Sequence, residues 1–513
     1  MAVHNAWAAL AVLLLAVFLL RRTRSLPRPP GPNRYPLIGS LLTMPKDDQW
    51  ITFNAWSQEF NCDLIYAEVL TDKILVVNSY EAAHELLGRK SSPCASRPQF
   101  TMLNELIGWG WLFAFMPNNE TWRRHRHLFE RELNASQKLL YQPQIEKCVP
   151  QLLLQLLREP VEYVSHLRHL AGSIIMLITY GIEVLPEDDP YIATSRAATE
   201  SLTITGTPGN FMVDFLPWLK YFPAWVPGAG FQARAKNWRG HVRNMIDLPF
   251  NNSKREAAAP GKGTASFTSI CLDKIKPGDD DAQQEEDIKL VATTSYAGGS
   301  DTTVSALQTF VLAMLLYPEV QLKAQQELDA LLSRSRLPNF EDRDDLPYFN
   351  ALIKEVLRWE PVNPLGLPHL STKECTFRGF HLPANTVVLP NAWAMSRDEV
   401  AYPESRVFKP ERFLTDDGKP NPHVQDSSFV FGFGPRVCPG KHIATSTLWL
   451  AAASILCTMN ITKVCSADGK VIEPSAKYYG SIVRHPEPFV CSIKPRSKET
   501  EELIYAAVQS TDP

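Results

Sequence analysis

The chemistry stands out most clearly in Phe431-Gly432-Phe433-Gly434-Pro435-Arg436-Val437-Cys438-Pro439-Gly440, where glycines and prolines surround one cysteine. Such a loop lets backbone approach a flat ligand, and a thiolate is a soft donor suited to iron. Backbone N–H groups and the nearby Arg436 would stabilise a negative sulfur, and the apolar helix expected from Lys441 onward adds its N-terminal dipole. Glu355 and Arg358 stand at i and i+3 on one helical face, a spacing that is most often a surface ion pair. In Ala297-Gly298-Gly299-Ser300-Asp301-Thr302-Thr303, two glycines interrupt a helix-compatible run from Ile288 to Leu316. Glycine inside a helix is costly unless something must come close. The acid and hydroxyl that follow, Asp301 and Thr302, are groups able to relay protons. Trp122 and Arg126 share a helical face at i and i+4.

In this order and at these separations the segments resemble the cytochrome P-450 family, whose heme-binding signature F-x-x-G-x-R-x-C-x-G is met at every fixed position from Phe431 to Gly440. The resemblance runs along the whole chain and is nearest to fungal microsomal members. It implies heme b (iron protoporphyrin IX) with Cys438 as axial thiolate ligand, and Trp122, Arg126, His369 and Arg436 holding the heme propionates. It makes Asp301 and Thr302 the catalytic acid-alcohol pair. Phe408-Lys409-Pro410-Glu411-Arg412-Phe413 resembles the segment that supplies a third charged partner, so Glu355, Arg358 and Arg412 are expected to form a buried triad. Pro117-Asn118-Asn119 departs from the Tyr-Gly often found there in relatives. The aromatic, proline-rich stretch from Phe215 to Pro227 resembles the family's access region and is expected at a membrane surface or ligand entrance. Substrate contacts are expected from Thr101 to Ala114, the Phe215 region, Thr293 to Gly298, Asn363 to Leu367 and Tyr478 to Ile482.

These residues need elements to position them. Leu64 to Val69 and Lys73 to Val77 pattern as a hairpin around Thr71-Asp72, Asn350 to Trp359 as a helix, and most later periodic segments as helices. Asn251 to Ser266 and the acidic Lys276 to Asp287 are predicted to be surface connections. At the start, Ala6 to Leu20 is uninterrupted apolar sequence, and Arg21, Arg22, Arg24 and Arg28 follow it. That order is expected of a retained transmembrane signal anchor over residues 1–20, with its N-terminus lumenal and the rest cytosolic. A basic and proline-rich hinge is expected over 21–35 and one heme-thiolate domain over 36–513.

Composition sets outer limits. A net charge of -3 over 513 residues excludes a generally basic, nucleic-acid-binding surface. Nine scattered cysteines without a C-x-x-C pair are unlike a disulfide scaffold or zinc site and fit a reducing compartment. The resemblance implies a mainly α fold, a helical triangular body with a smaller β-sheet region. It implies insertion of one oxygen atom from dioxygen into a small lipophilic terpenoid, polyketide or aromatic, in secondary metabolism or detoxification. Electrons would come from a separate NADPH-cytochrome P-450 reductase at the endoplasmic reticulum membrane. A heme-thiolate isomerase or dehydratase is the first rival, opposed by Asp301-Thr302. A heme sensor is the second, in which a proton-relay pair and access channel have no use.

Overall fold

The structure, a computed structural model, describes residues 26–511 apart from 91, 207–210, 260–263, 276–277, 279 and 481. The expected anchor over residues 1–20 and the first part of the hinge lie outside the described residues. No single helix among the described residues is long and apolar enough to cross a membrane.

The chain is mainly helical. Its longer helices are α1 (Gln49–Glu59), α2 (Glu120–Glu132), α3 (Lys138–Arg158), α4 (Tyr163–Tyr180), α5 (Pro190–Thr205), α6 (Phe231–Ala257), α7 (Asp281–Leu316), α8 (Pro318–Leu332), α9 (Pro347–Trp359), α10 (Lys441–Thr458) and α11 (Lys498–Thr511). At 36 residues, and ~1.5 Å per residue, α7 runs about 54 Å through the centre. It packs against α4, α2, α6 and α10, and Val304, Ala306, Leu307, Phe310, Val311 and Met314 on it belong to the main apolar core.

Local signals explain where the site-bearing helices begin. The Asn119 side chain accepts the Trp122 N–H at 2.8 Å and so caps α2, fixing the turn that carries Trp122. Pro347 opens α9, and the Glu327 carboxylate accepts the Tyr348 and Phe349 N–H groups at 2.8 Å each. Gly440 precedes α10, which therefore starts three residues after Cys438.

The predicted hairpin is present as β1 (Leu64–Val69) and β2 (Asp72–Val77), paired antiparallel from Leu64 opposite Val77 to Val69 opposite Asp72. It is half of a four-stranded sheet in the order β1-β2-β6-β3. Here β3 is His369–Leu370 and β6 is Thr386–Pro390, and β2 runs parallel to β6 with Lys73 opposite Thr386. Small two-stranded sheets complete the β region: β4 (Cys375–Phe377) with β5 (Phe380–Leu382), β7 (Met459–Thr462) with β10 (Ser492–Pro495), and β8 (Tyr478–Tyr479) with β9 (His485–Pro486).

Both predicted surface connections are partly wrong. α6 continues through Asn251 to Ala257, held by an Asn252–Glu256 hydrogen bond at 3.0 Å and a Lys254–Glu285 ion pair at 2.6 Å. The acidic run from Asp281 to Asp287 forms the first two turns of α7, where carboxylates meet the favourable end of the helix dipole.

Candidate functional site

Cys438 sits at the end of a loop whose shape depends on two glycines. Gly432 and Gly434 have φ of 90° and 56°, and a Cβ on Gly434 would lie 2.3 Å from the Leu87 carbonyl oxygen, so no side chain fits there. The Cys438 N–H closes the loop on the Phe431 carbonyl at 2.8 Å. From α2, Arg126 reaches the same loop, donating to the Val437 carbonyl at 2.7 Å and to Glu130 at 2.7 Å. Burial pushes the Cys438 thiol up, while the Gly440 N–H and the Arg126 and Lys441 charges favour the thiolate.

Beside this loop lies a buried concentration of positive charge. Arg436 stacks on Trp122, its guanidinium carbon 3.9 Å from the ring centroid, and donates to the carbonyls of Ala95, Phe113 and Met116 at 2.7, 3.3 and 2.9 Å. Arg97, which sequence reading missed, donates to the carbonyls of Ala114, Leu367 and Pro368 at 3.0, 2.7 and 2.8 Å. Neither arginine has a carboxylate partner among the described residues. Burial, together with the neighbouring Arg97 and Arg126 charges, lowers Arg436 to about 8, and burial lowers Arg97 to about 9. A buried cation without a counter-charge is costly, and an anionic ligand with two acceptor groups would relieve it.

His369 belongs to the same cluster. Its Nδ1 faces the Cys94 carbonyl at 2.9 Å, which requires the proton on Nδ1. Burial and the Arg97 and Arg436 charges hold it well below the ordinary histidine range. The neutral ring therefore leaves Nε2 as an acceptor, and donation from Nε2 to a carboxylate needs the cationic form that a bound anion would favour.

The charged triad is present as expected. Glu355 and Arg358 are fully buried and joined by two hydrogen bonds, Nε to Oε2 at 2.7 Å and Nη2 to Oε1 at 2.8 Å. Arg412 Nε lies 3.2 Å from Glu355 Oε1, and the Lys409 N–H donates to the same oxygen at 2.8 Å. Arg358 also donates to the Ser396 and Ser405 carbonyls at 2.7 and 2.8 Å.

On α7 the acid and the hydroxyl have different partners. Thr302 Oγ1 donates to the Gly298 carbonyl at 2.7 Å. The two glycines also differ: a Cβ on Gly299 would crowd Ile175 of α4 at 3.0 Å, whereas one on Gly298 would meet nothing within 4 Å. Gly299 thus permits helix packing and Gly298 borders open space. Asp301 turns to His485, Oδ2 to Nε2 at 3.2 Å. Burial raises the Asp301 carboxyl, but the His485 hydrogen bond and charge, with the Arg168 charge from α4, outweigh it and leave it below the usual carboxylate range. No hydrogen bond joins Asp301 to Thr302 among the described contacts.

The expected access stretch acquires geometry, and so do the arginines beside Trp122. The stretch from Phe215 to Pro227 exposes Trp218, Tyr221, Phe222 and Trp225. It is tied to the segment after Phe100 by Asp214, which accepts the Met102 N–H at 2.8 Å, and by Lys220 to Glu105 at 2.5 Å. Of the two arginines next to Trp122, Arg124 is committed to Asp287 at 2.9 and 3.2 Å, while Arg123 is exposed and has no ion pair among the described residues.

A family model described as Cytochrome P450 matches residues 29–492. Cytochrome P450 monooxygenase 98 of Postia placenta is 43% identical over 95% of this chain and 94% of its own. Cytochrome P450 monooxygenase ple1 of Rhodocybe pseudopiperita is 42% identical over 93% of this chain and 91% of its own. Tryptamine 4-monooxygenase of Psilocybe cyanescens is 39% identical over 93% of this chain and 95% of its own.

Proposed function

Because the chain belongs to the cytochrome P450 family and is a monooxygenase, we propose that it oxygenates a small lipophilic metabolite with electrons from an NADPH-dependent flavoprotein reductase. The observation that carries this reading is the half-buried Cys438 beside the Arg97 and Arg436 guanidiniums, which have no carboxylate partner among the described residues, a donor set that fits a flat iron complex with two carboxylates. Bound there, heme would supply dioxygen activation, which the thiolate promotes.

The chain's own residues do the rest. Arg97, Arg126 and Arg436, backed by Trp122, would grip the carboxylates, and Cys438 would be the ligand. Arg97→Gln is expected to release heme to an acceptor apoprotein roughly 10- to 100-fold faster, the worth of one charge-assisted hydrogen bond at about 1.5–3 kcal/mol. An unchanged release rate would remove Arg97 from the grip. Thr302 holds its proton on the Gly298 carbonyl and can re-aim it when a ligand enters beside Gly298, and Asp301, its neighbour on α7, is the carboxylate that would relay protons to it.

For substrate, the segments from Thr101 to Ala114 and Asn363 to Leu367 are largely apolar, which favours a lipophilic terpenoid, polyketide or aromatic. A relative's name specifies tryptamine, so an indole is among the compounds to try. The decisive experiment is metabolite profiling of microsomes containing this chain and a reductase, with a carbon monoxide difference spectrum of the reduced protein. A band typical of imidazole ligation would overturn the thiolate reading.

The anchor reading supports a cytosolic body at the endoplasmic reticulum, with exposed aromatics from Trp218 to Trp225 touching the bilayer. Four N-x-[ST] sequons, at Asn119, Asn134, Asn251 and Asn460, all lie outside the buried core. Full-length protein from microsomes is expected to keep its mass on glycosidase treatment, and a loss of mass would place the body in the lumen instead.

A further inference from the structure

His485 approaches α7 from a strand 184 residues further along the chain. Its two ring nitrogens face two residues of that helix: Nε2 lies 3.2 Å from Asp301 Oδ2 and Nδ1 lies 2.7 Å from Gln308 Oε1. His485 and Gln308 are both buried. The exposed Tyr479 ring stacks on the imidazole at 5.8 Å.

The strand does not need these contacts to stay in place. Ser305 donates its hydroxyl to the Arg484 carbonyl, and the Arg484 N–H donates to the Val362 carbonyl at 3.0 Å. Arg484 also pairs with Glu360 at 2.8 Å, and Tyr478 donates to Thr309 at 3.1 Å. The polar ring is thus additional to what fixes β9, while unpaired buried polar groups are costly.

A neutral imidazole has one N–H and one lone pair. With the Gln308 oxygen against Nδ1, the Nδ1 proton is committed, and a bare Nε2 would oppose the Asp301 carboxylate lone pair to lone pair. A further proton must then sit between Nε2 and Oδ2. When the Gln308 amide turns by half a rotation, its NH2 group donates to Nδ1 and a neutral ring donates Nε2–H to Asp301. Rotation of one buried amide therefore changes by one the number of protons held at the pair.

We propose that His485 is the positioning and proton-holding partner of Asp301, with Gln308 setting how many protons the pair carries. The inference rests on the monooxygenase reading above. The transfer starts from the doubly protonated ring, with Nδ1–H on the Gln308 oxygen: the N–H bond at His485 Nε2 breaks as an O–H bond forms at Asp301 Oδ2, the ring is left neutral with its proton on Nδ1, and one proton taken up from solvent restores Nε2–H. Among the described residues, the other charged or titratable groups near the pair include Arg168 of α4, whose charge acts on Asp301, Tyr479 of β8 stacked on His485, Tyr478 bonded to Thr309, and the Glu360–Arg484 ion pair.

The test uses the full chain loaded with heme, in His485→Phe, His485→Gln, Asp301→Asn and the double variant His485→Phe/Asp301→Asn, with Thr302→Ala, which removes the hydroxyl next to Asp301, as the variant expected to uncouple. His485→Phe is expected to keep the wild-type heme content and carbon monoxide band, and to raise the ratio of peroxide to product about 10-fold. His485→Gln, which keeps one donor, should recover part of the coupling. The double variant should be no worse than Asp301→Asn alone. A second readout needs no turnover: the thermal-unfolding shifts of the single variants should be non-additive in the double, because the two groups interact directly. Coupling unchanged in His485→Phe, or additive effects in both cycles, would overturn the proposal. If His485→Phe does not load heme, the unfolding cycle built with His485→Gln decides. A wild-type spectrum without thiolate ligation would instead sink the monooxygenase reading and leave the dyad's unfolding cycle standing.

Discussion

Cys438→Ser is expected to fold and to lose product formation by about a thousandfold or more, equivalent to roughly 4 kcal/mol of barrier. The loop geometry does not depend on the sulfur: Gly432 and Gly434 set its turns, and the Cys438 N–H bond to Phe431 is a backbone interaction. Serine can occupy the same position and satisfy the same backbone bond. What it cannot supply is a soft anionic donor, because its hydroxyl stays protonated where a thiol is already pushed up by burial. Products profiled from microsomes are the readout, with unfolding temperature as the control. Equal product in the serine variant would show that another group ligates the iron.

Arg358→Ala is expected to cost about 3–5 kcal/mol, the price of leaving a buried charge without its partner, and to give protein that does not retain heme. Set against a total stability of roughly 5–15 kcal/mol, that loss is severe. The reason is that Glu355 is fully buried and takes two of its hydrogen bonds from Arg358. Removing the guanidinium also orphans the Ser396 and Ser405 carbonyls. Arg358→Lys would keep the charge but lose the forked geometry, so it should fall between wild type and alanine. The ratio of heme to protein and the unfolding midpoint measure both, and a fully loaded alanine variant would remove the triad's bracing role.

Those two residues were legible in the sequence because each sits in a local pattern. The glycines around Cys438 and the i, i+3 spacing of Glu355 and Arg358 are visible over a few residues. Arg97 was not legible: Ser96-Arg97-Pro98 has no periodicity, and its function comes from carbonyls of residues 114, 367 and 368. His485 was hidden for the same reason, since its partners lie on α7. The two mistaken loops have a different cause. Asn251 to Ala257 and Asp281 to Asp287 are polar enough to pattern as connections, yet tertiary ion pairs such as Lys254–Glu285 and the acid-favouring start of α7 make them helical.

The parallel pairing of β2 with β6 also shapes how the chain must be made. Lys73 meets the Ala384 carbonyl across a separation of 311 residues. At ~5–20 residues per second a ribosome needs roughly 15–60 s to deliver the second strand after the first. Throughout that interval the early hairpin presents an unsatisfied edge rich in Ile74, Leu75, Val76 and Val77, a surface prone to pair with the wrong chain. Yield during expression should therefore respond to translation speed and chaperone supply more than to the stability of the finished molecule.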